Sequence, residues 1–176
     1  MKVPRDKKID DLIAIMEIDH LLNDYMRGQD RLDPVLHRSV FWDDCTLDYG
    51  FYQGGPDGFV EYAQGALSSH SANHHMMGQK DIRVEGDVAF GEIYYQAWHC
   101  IADEDGNKMD FVCGGRYVDR YEKRLGQWKI AHRTELFDWA RTDPASDTFF
   151  EMQPQAIRGK RGAEDISSDR EALRTR

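Results

Sequence analysis

Residues 70–78 read HSANHHMMG, with three histidines at positions 70, 74 and 75. Imidazole titrates near neutrality, so such a stretch can supply metal ligands or an acid–base group. As metal ligands, His70 and His74 would need one continuous helix face, and the Ser and Asn residues around them disfavour it. Neither an adjoining Glu nor an acidic third ligand at metal spacing is present, so no metal site is expected. If His74 and His75 instead open a strand, they point to opposite faces and only one can enter a cavity. The residues themselves leave open which one does.

Two further stretches carry groups able to do chemistry. In YMRGQD, Tyr25 ends the apolar side of a helical pattern and Asp30 lies just past Gly28. They are either site groups or, respectively, a core phenol and a capping carboxylate. In WKIAHRTELF, His132 and Arg133 fall on opposite strand faces. An arginine among Trp128, Ile130, Leu136 and Phe137 is costly to bury unless it meets an anion. Arg116 and His99 are polar residues in otherwise apolar strands, and Tyr94 and Tyr95 divide between the two faces.

The elements that must position these groups follow from the apolar spacing. Ile9, Leu12, Ile13, Met16, Leu22 and Tyr25 predict an amphipathic helix closed by Gly28. Asp33 and Pro34 then cap and open a second helix, and Pro56 opens a third that carries Phe59, Val60, Ala63 and Leu67. A short strand is expected near Thr46–Tyr49. Beyond residue 74 the pattern becomes four long antiparallel strands, with turns at EGD, DEDGNKM and RLGQ. Helices first and strands after read as α+β: three N-terminal helices packed on a strongly curved antiparallel sheet, a cone-shaped barrel around a ligand cavity. Gly91, Gly114 and Gly115 are its expected bend points. Residues 1–142 make up the expected domain, and 143–176 a polar extension. That extension reads as a solvated terminus or, alternatively, as an arm over the cavity mouth or a neighbouring subunit.

Composition narrows the partners. The net charge of −9 argues against nucleic acid or an anionic membrane surface. No run is long and apolar enough to span a bilayer, and the basic N-terminus has no apolar stretch behind it. Cys45, Cys100 and Cys113 form no C-x-x-C, so reduced thiols in a cytoplasmic protein are expected.

The order of elements, with YMRGQD, HHMMGQ, GGRYVDRYEKRLGQWKI and LFDW, resembles the SnoaL-like branch of the nuclear-transport-factor-2-like superfamily over residues 8–142. That superfamily includes scytalone and bile-acid dehydratases, hexachlorocyclohexane dehydrochlorinase, ketosteroid isomerase and cofactorless formaldehyde-releasing lyases. The resemblance implies that Asp30 pairs with a catalytic histidine, with Tyr25 five residues before it. The spacing to Gly78 selects His75, and Arg133, five after Trp128, matches a catalytic arginine. His70 and His74 then become structural. Tyr49, Tyr95, Trp42 and Phe137 are read as substrate-facing rings of an aromatic cavity or, alternatively, as core packing, and the resemblance makes His99 the counterpart of a second histidine in scytalone dehydratase. The strand aspartate of the bile-acid enzyme has no equivalent here, since its place falls near Gln96 or Ala97. The implied activity is that of a lyase with no cofactor, acting on a hydrophobic or aromatic small molecule by dehydration or by formaldehyde-releasing C–C cleavage of a diaryl alcohol. The alternatives are a ketosteroid-type isomerase and a non-catalytic binding or assembly module, such as a small dioxygenase subunit. A homo-oligomer, dimer or trimer, is also implied.

Overall fold

The computed structural model describes residues 4–171 and residue 174. Helix α1 spans Arg5–Asp30 and buries Ala14, Ile18, Leu22, Tyr25, Met26 and Gln29. These positions recur at helical spacing and form one face. The expected stripe is only partly the buried one, because Ile9, Leu12, Ile13 and Met16 remain exposed. Nor does Gly28 end the helix. A Cβ there would lie 2.7 Å from the Cα and N of His37, so this glycine is where the backbone of the next helix crosses α1.

That helix, α2 (Pro34–Ser39), starts as expected: the Asp33 side chain accepts from Leu36 N at 2.9 Å, and Pro34 occupies the first turn. Helix α3 (Pro56–Ser69) buries Phe59, Val60, Ala63 and Leu67. It stops at His70, whose backbone is extended, so His70 and His74 share no helix face.

The strands are β1 (Phe41–Asp48), β2 (Gln53–Gly54), β3 (Ala72–Glu85), β4 (Val88–Ala102), β5 (Lys108–Arg124) and β6 (Gln127–Pro144). The last four form the expected antiparallel meander, turning at Gly86 and Gly126 with φ of 71° and 80°. Strand β1 is longer than expected and runs parallel to β6. The sheet order is β2-β1-β6-β5-β4-β3, so β2 and β3 are separate edges. The expectation of a strongly curved, wholly antiparallel barrel is therefore overturned: this is an open, mixed, six-stranded sheet. The chain order of helices and strands did not reveal which strand β1 would join, and that pairing makes the sheet mixed.

Helices α1 and α3 sit over one face of the sheet. Beneath them Ala89, Ile93, Tyr95 and Ala97 of β4 alternate inward, meeting Tyr117, Tyr121 and Ile130 in a common core. Pairing of β5 with β6 shifts between Gly114 and Gly115. A Cβ at Gly115 would stand 2.0 Å from the Leu136 carbonyl oxygen, so only glycine admits this bulge. Beyond β6 come a short helix α4 (Phe149–Met152) and 3₁₀ turns at Gly162–Glu164 and Ile166–Ser168. This last segment does not stand free, because Gly162 N donates to Arg31 O at 2.6 Å and Arg27 reaches Ser167 Oγ at 3.0 Å.

Candidate active site

The sheet and helices enclose a cavity of about 280 Å³ whose walls are mostly aromatic and apolar. Helix α1 contributes Tyr25 and Gln29 one turn apart, and α3 contributes Phe59, Ala63 and Leu67. Strands β3 and β4 bring His75, Tyr95, Ala97 and His99, and β6 brings Glu135 and Phe137. Residues 95, 97 and 99 share one face of β4, and His75 pairs with Ala97 across the β3–β4 register. The imidazole therefore sits between Tyr95 and His99 along the cavity wall. His74 is exposed on the opposite face.

His75 meets Asp30 at the C-terminal end of α1. Its Nδ1 lies 2.7 Å from Asp30 Oδ1, and its backbone N donates to Oδ2 at 3.1 Å. Asn73 Nδ2 also donates to Oδ1, at 2.7 Å. Burial works against the charge of Asp30, but the hydrogen bonds and charge of His75 outweigh it and hold the carboxyl below the usual carboxylate range. Facing an ionised carboxylate, Nδ1 carries the ring proton, which leaves the Nε2 lone pair as the proton acceptor. Asp30 itself lies behind the imidazole, outside the cavity lining.

The other expected residues divide. Tyr25, Tyr49, Tyr95, His99 and Phe137 all line the cavity. The Tyr25 hydroxyl accepts from Gln29 Nε2 at 2.7 Å and lies 3.0 Å from that of Tyr49. His99 is buried, and that burial, followed by the neighbouring imidazoles of His75 and His70, lowers its pKa to about 3 and keeps it neutral. Arg133 is fully buried but lies outside the lining. Its Nε and Nη2 each donate to Asp119 at 2.7 Å, and its guanidinium carbon stands 4.2 and 4.0 Å from the ring centres of Tyr25 and Tyr117. Asp119 is thus the anion that its burial required. Trp42 is also away from the cavity: its Nε1 donates to Glu122 O at 2.9 Å, and Arg124 and Lys129 stand over its ring.

Glu135 and Asn73 are among the residues at the site that escaped the sequence reading. Glu135 lines the cavity, and its carboxyl is raised by burial, against the opposing effects of Tyr95, Arg133 and His75. The Tyr95 hydroxyl beside it makes no hydrogen bond of ordinary geometry. The signal was available, because the alternation that turns Arg133 inward turns Glu135 the same way. Asn73, two residues before His75, shares that face of β3 by the same rule. His70 lines the cavity as well, although it had been assigned a structural place. Among the described residues no group of three or more His, Cys, Asp or Glu side chains could hold a metal ion. No helix among them is long and apolar enough to cross a membrane.

A helix-covered open sheet with a histidine–carboxylate pair on an aromatic cavity defines a recognisable class. A SnoaL-like domain matches residues 10–134, and the chain belongs to that family, within the nuclear-transport-factor-2-like superfamily. An uncharacterized protein of Mycobacterium tuberculosis is 28% identical over 126 residues, which cover 68% of this chain and 82% of that protein. A hexachlorocyclohexane dehydrochlorinase of type 2 superposes with a TM-score of 0.69 at 19% identity, over 78% of this chain and 96% of the other. A putative scytalone dehydratase from Novosphingobium aromaticivorans gives 0.67 at 22% identity, over 77% and 91%. At these identities the two structures establish a shared fold.

Proposed function

We propose that this protein is a cofactor-independent lyase that uses His75 and Asp30 as an acid–base pair on a hydrophobic, ring-bearing small molecule. One observation carries the reading: an imidazole tied through Nδ1 to a buried carboxylate also lines an aromatic cavity. His75 Nε2 removes a proton from the substrate, and Asp30 stabilises the imidazolium that forms. General-base assistance of this kind is worth roughly 10²–10⁴-fold. Glu135, whose carboxyl pKa is raised by burial, faces the cavity from β6 and is the group assigned to deliver a proton to the departing oxygen.

Two eliminations fit this arrangement. In dehydration, His75 breaks a C–H bond, the electron pair forms the alkene, and the leaving hydroxyl departs as water with the Glu135 proton. In the cleaving reaction, His75 takes the proton of a primary alcohol. The C–C bond then breaks to release formaldehyde, and its electron pair forms the alkene as the neighbouring hydroxyl leaves as water. The names of the two structural neighbours, a dehydratase and a dehydrochlorinase, also describe eliminations.

The test is a panel of 1,2-diarylpropane-1,3-diols and β-hydroxy ketones, scored for alkene absorbance and for formaldehyde. Formaldehyde with alkene identifies cleavage, and alkene with water alone identifies dehydration. His75→Ala and Asp30→Asn are each expected to lose at least about a hundredfold in turnover while remaining folded at the assay temperature. A near-normal rate for His75→Ala would overturn the proposal.

A further inference from the structure

The Asp30–His75 pair does not end at Asp30. Oδ1 of Asp30 takes both His75 Nδ1 and Asn73 Nδ2, each at 2.7 Å. Asn73 is 6% exposed, and its Oδ1 accepts in turn from Nη2 of Arg161. Arg161 lies in the polar segment beyond β6, 88 residues from Asn73 in the chain. Its Nη1 donates to Leu67 O at 3.1 Å and to His70 O at 2.9 Å, carbonyls at the end of α3 where a cation is favoured. Among the described residues Arg161 makes no ion pair, so its hydrogen bonds go to these carbonyls and to Asn73.

The chemistry of this chain of groups runs in one direction. A guanidinium only donates, a carboxylate only accepts, and an asparagine amide has one end of each kind. Arg161 at one end and Asp30 at the other therefore fix the Asn73 amide so that its NH₂ faces the carboxylate. Without Arg161, the buried Asn73 amide oxygen loses its charged donor, and the side chain that carries one of the three N–H donors of Asp30 is held from one end only. A buried carboxylate that loses a donor is less well held, and so is the imidazole whose tautomer it sets. Neighbouring contacts keep the segment in place: Arg31 pairs with Asp165 at 3.4 Å, and Lys160 N donates to Asp165 Oδ2 at 2.9 Å.

We propose that Arg161 is a positioning residue of the active site, acting through Asn73 on Asp30 to hold His75 in its Nδ1–H tautomer. This rests on His75 serving as the base, but the test needs no substrate. In the full chain with ¹⁵N-labelled histidine, NMR of the neutral His75 ring is expected to show the Nδ1–H tautomer, with a slowly exchanging Nδ1 proton. Arg161→Ala should raise the ratio of the minor to the major tautomer by roughly tenfold or more, the worth of one hydrogen bond to a charged group. Asn73→Ala keeps the carbonyl contacts of Arg161 and should do the same. Because the two act in series, the double variant should match Asn73→Ala alone rather than add to it.

Reciprocity supplies an arm that needs no change at 161: Asp30→Asn should speed hydrogen exchange at the Arg161 guanidinium. An unchanged His75 tautomer in folded Arg161→Ala, additive effects in the double variant, or unchanged Arg161 exchange in Asp30→Asn would each overturn the proposal. If the unsubstituted protein itself lacks the Nδ1–H tautomer at His75, the base assignment fails instead, and the two failures remain distinguishable.

Discussion

At the scale of single residues, Glu135 is a carboxyl whose protonation can be read without knowing the substrate. Its folded-state pKa is raised above the ordinary glutamate value by burial, with Tyr95, Arg133 and His75 opposing. A group shifted upward contributes stability that is fully present below its unfolded pKa and is lost as pH rises through the folded value. Glutamine cannot ionise, so Glu135→Gln removes that loss. The melting temperature of the variant relative to the unsubstituted protein is therefore expected to be flat below the ordinary glutamate range and to rise as pH is raised through and above it. Each kcal/mol corresponds to roughly 2–4 °C for a chain of this size. The comparison isolates Glu135 from Asp30, whose lowered pKa gives stability that is lost in the opposite direction, as pH falls. Parallel melting curves across that range would show an ordinary, ionised Glu135 and remove it as the acid.

At the scale of elements, the β5–β6 bulge sets where β6 delivers its side chains. A methyl group at Gly115 would meet the Leu136 carbonyl oxygen at 2.0 Å and Phe137 Cα at 3.1 Å, both backbone atoms that cannot swing aside. Gly115→Ala is expected to cost about 1–3 kcal/mol, the usual range for overpacking, and to speed amide exchange around residues 135–139. A variant as stable and as protected as the parent would show that the bulge tolerates a side chain. Much of this architecture was legible beforehand. The turns at Gly86 and Gly126, the cap at Asp33 and the split of His74 from His75 all follow from local chemistry or from strand alternation. What was illegible is non-local. Gly28 has the local pattern of a helix stop, and only the approach of His37 shows it to be a crossing point. The parallel pairing of β1 with β6 joins residues such as Thr46 and His132, and no short-range signal announces it. Arg161 reaches Asn73 from a segment whose composition alone reads as a solvated terminus.

At the scale of the whole molecule, the cavity belongs to no single layer. Its walls come from α1, α3, the turn after β1 and each strand of the meander, so its width beside His75 is set only once all of them have packed. Ala97 is where that width is most directly controlled. It pairs with His75 across the β3–β4 register, is 3% exposed, and leaves the space beside the imidazole open. Ala97 borders both the core and a cavity of about 280 Å³ that can take part of a larger side chain, so Ala97→Leu should fold at a cost of no more than about 1–3 kcal/mol. It changes no titratable group, and the His75 tautomer should stay as it is. If the reacting carbon of a two-ring substrate lies beside Nε2, that volume is already spoken for. Turnover of diaryl substrates should then fall by at least about tenfold through a higher KM, and single-ring alcohols should be less affected. Full activity of Ala97→Leu on diaryl diols would place the substrate elsewhere in the cavity and separate the His75–Asp30 pair from the chemistry.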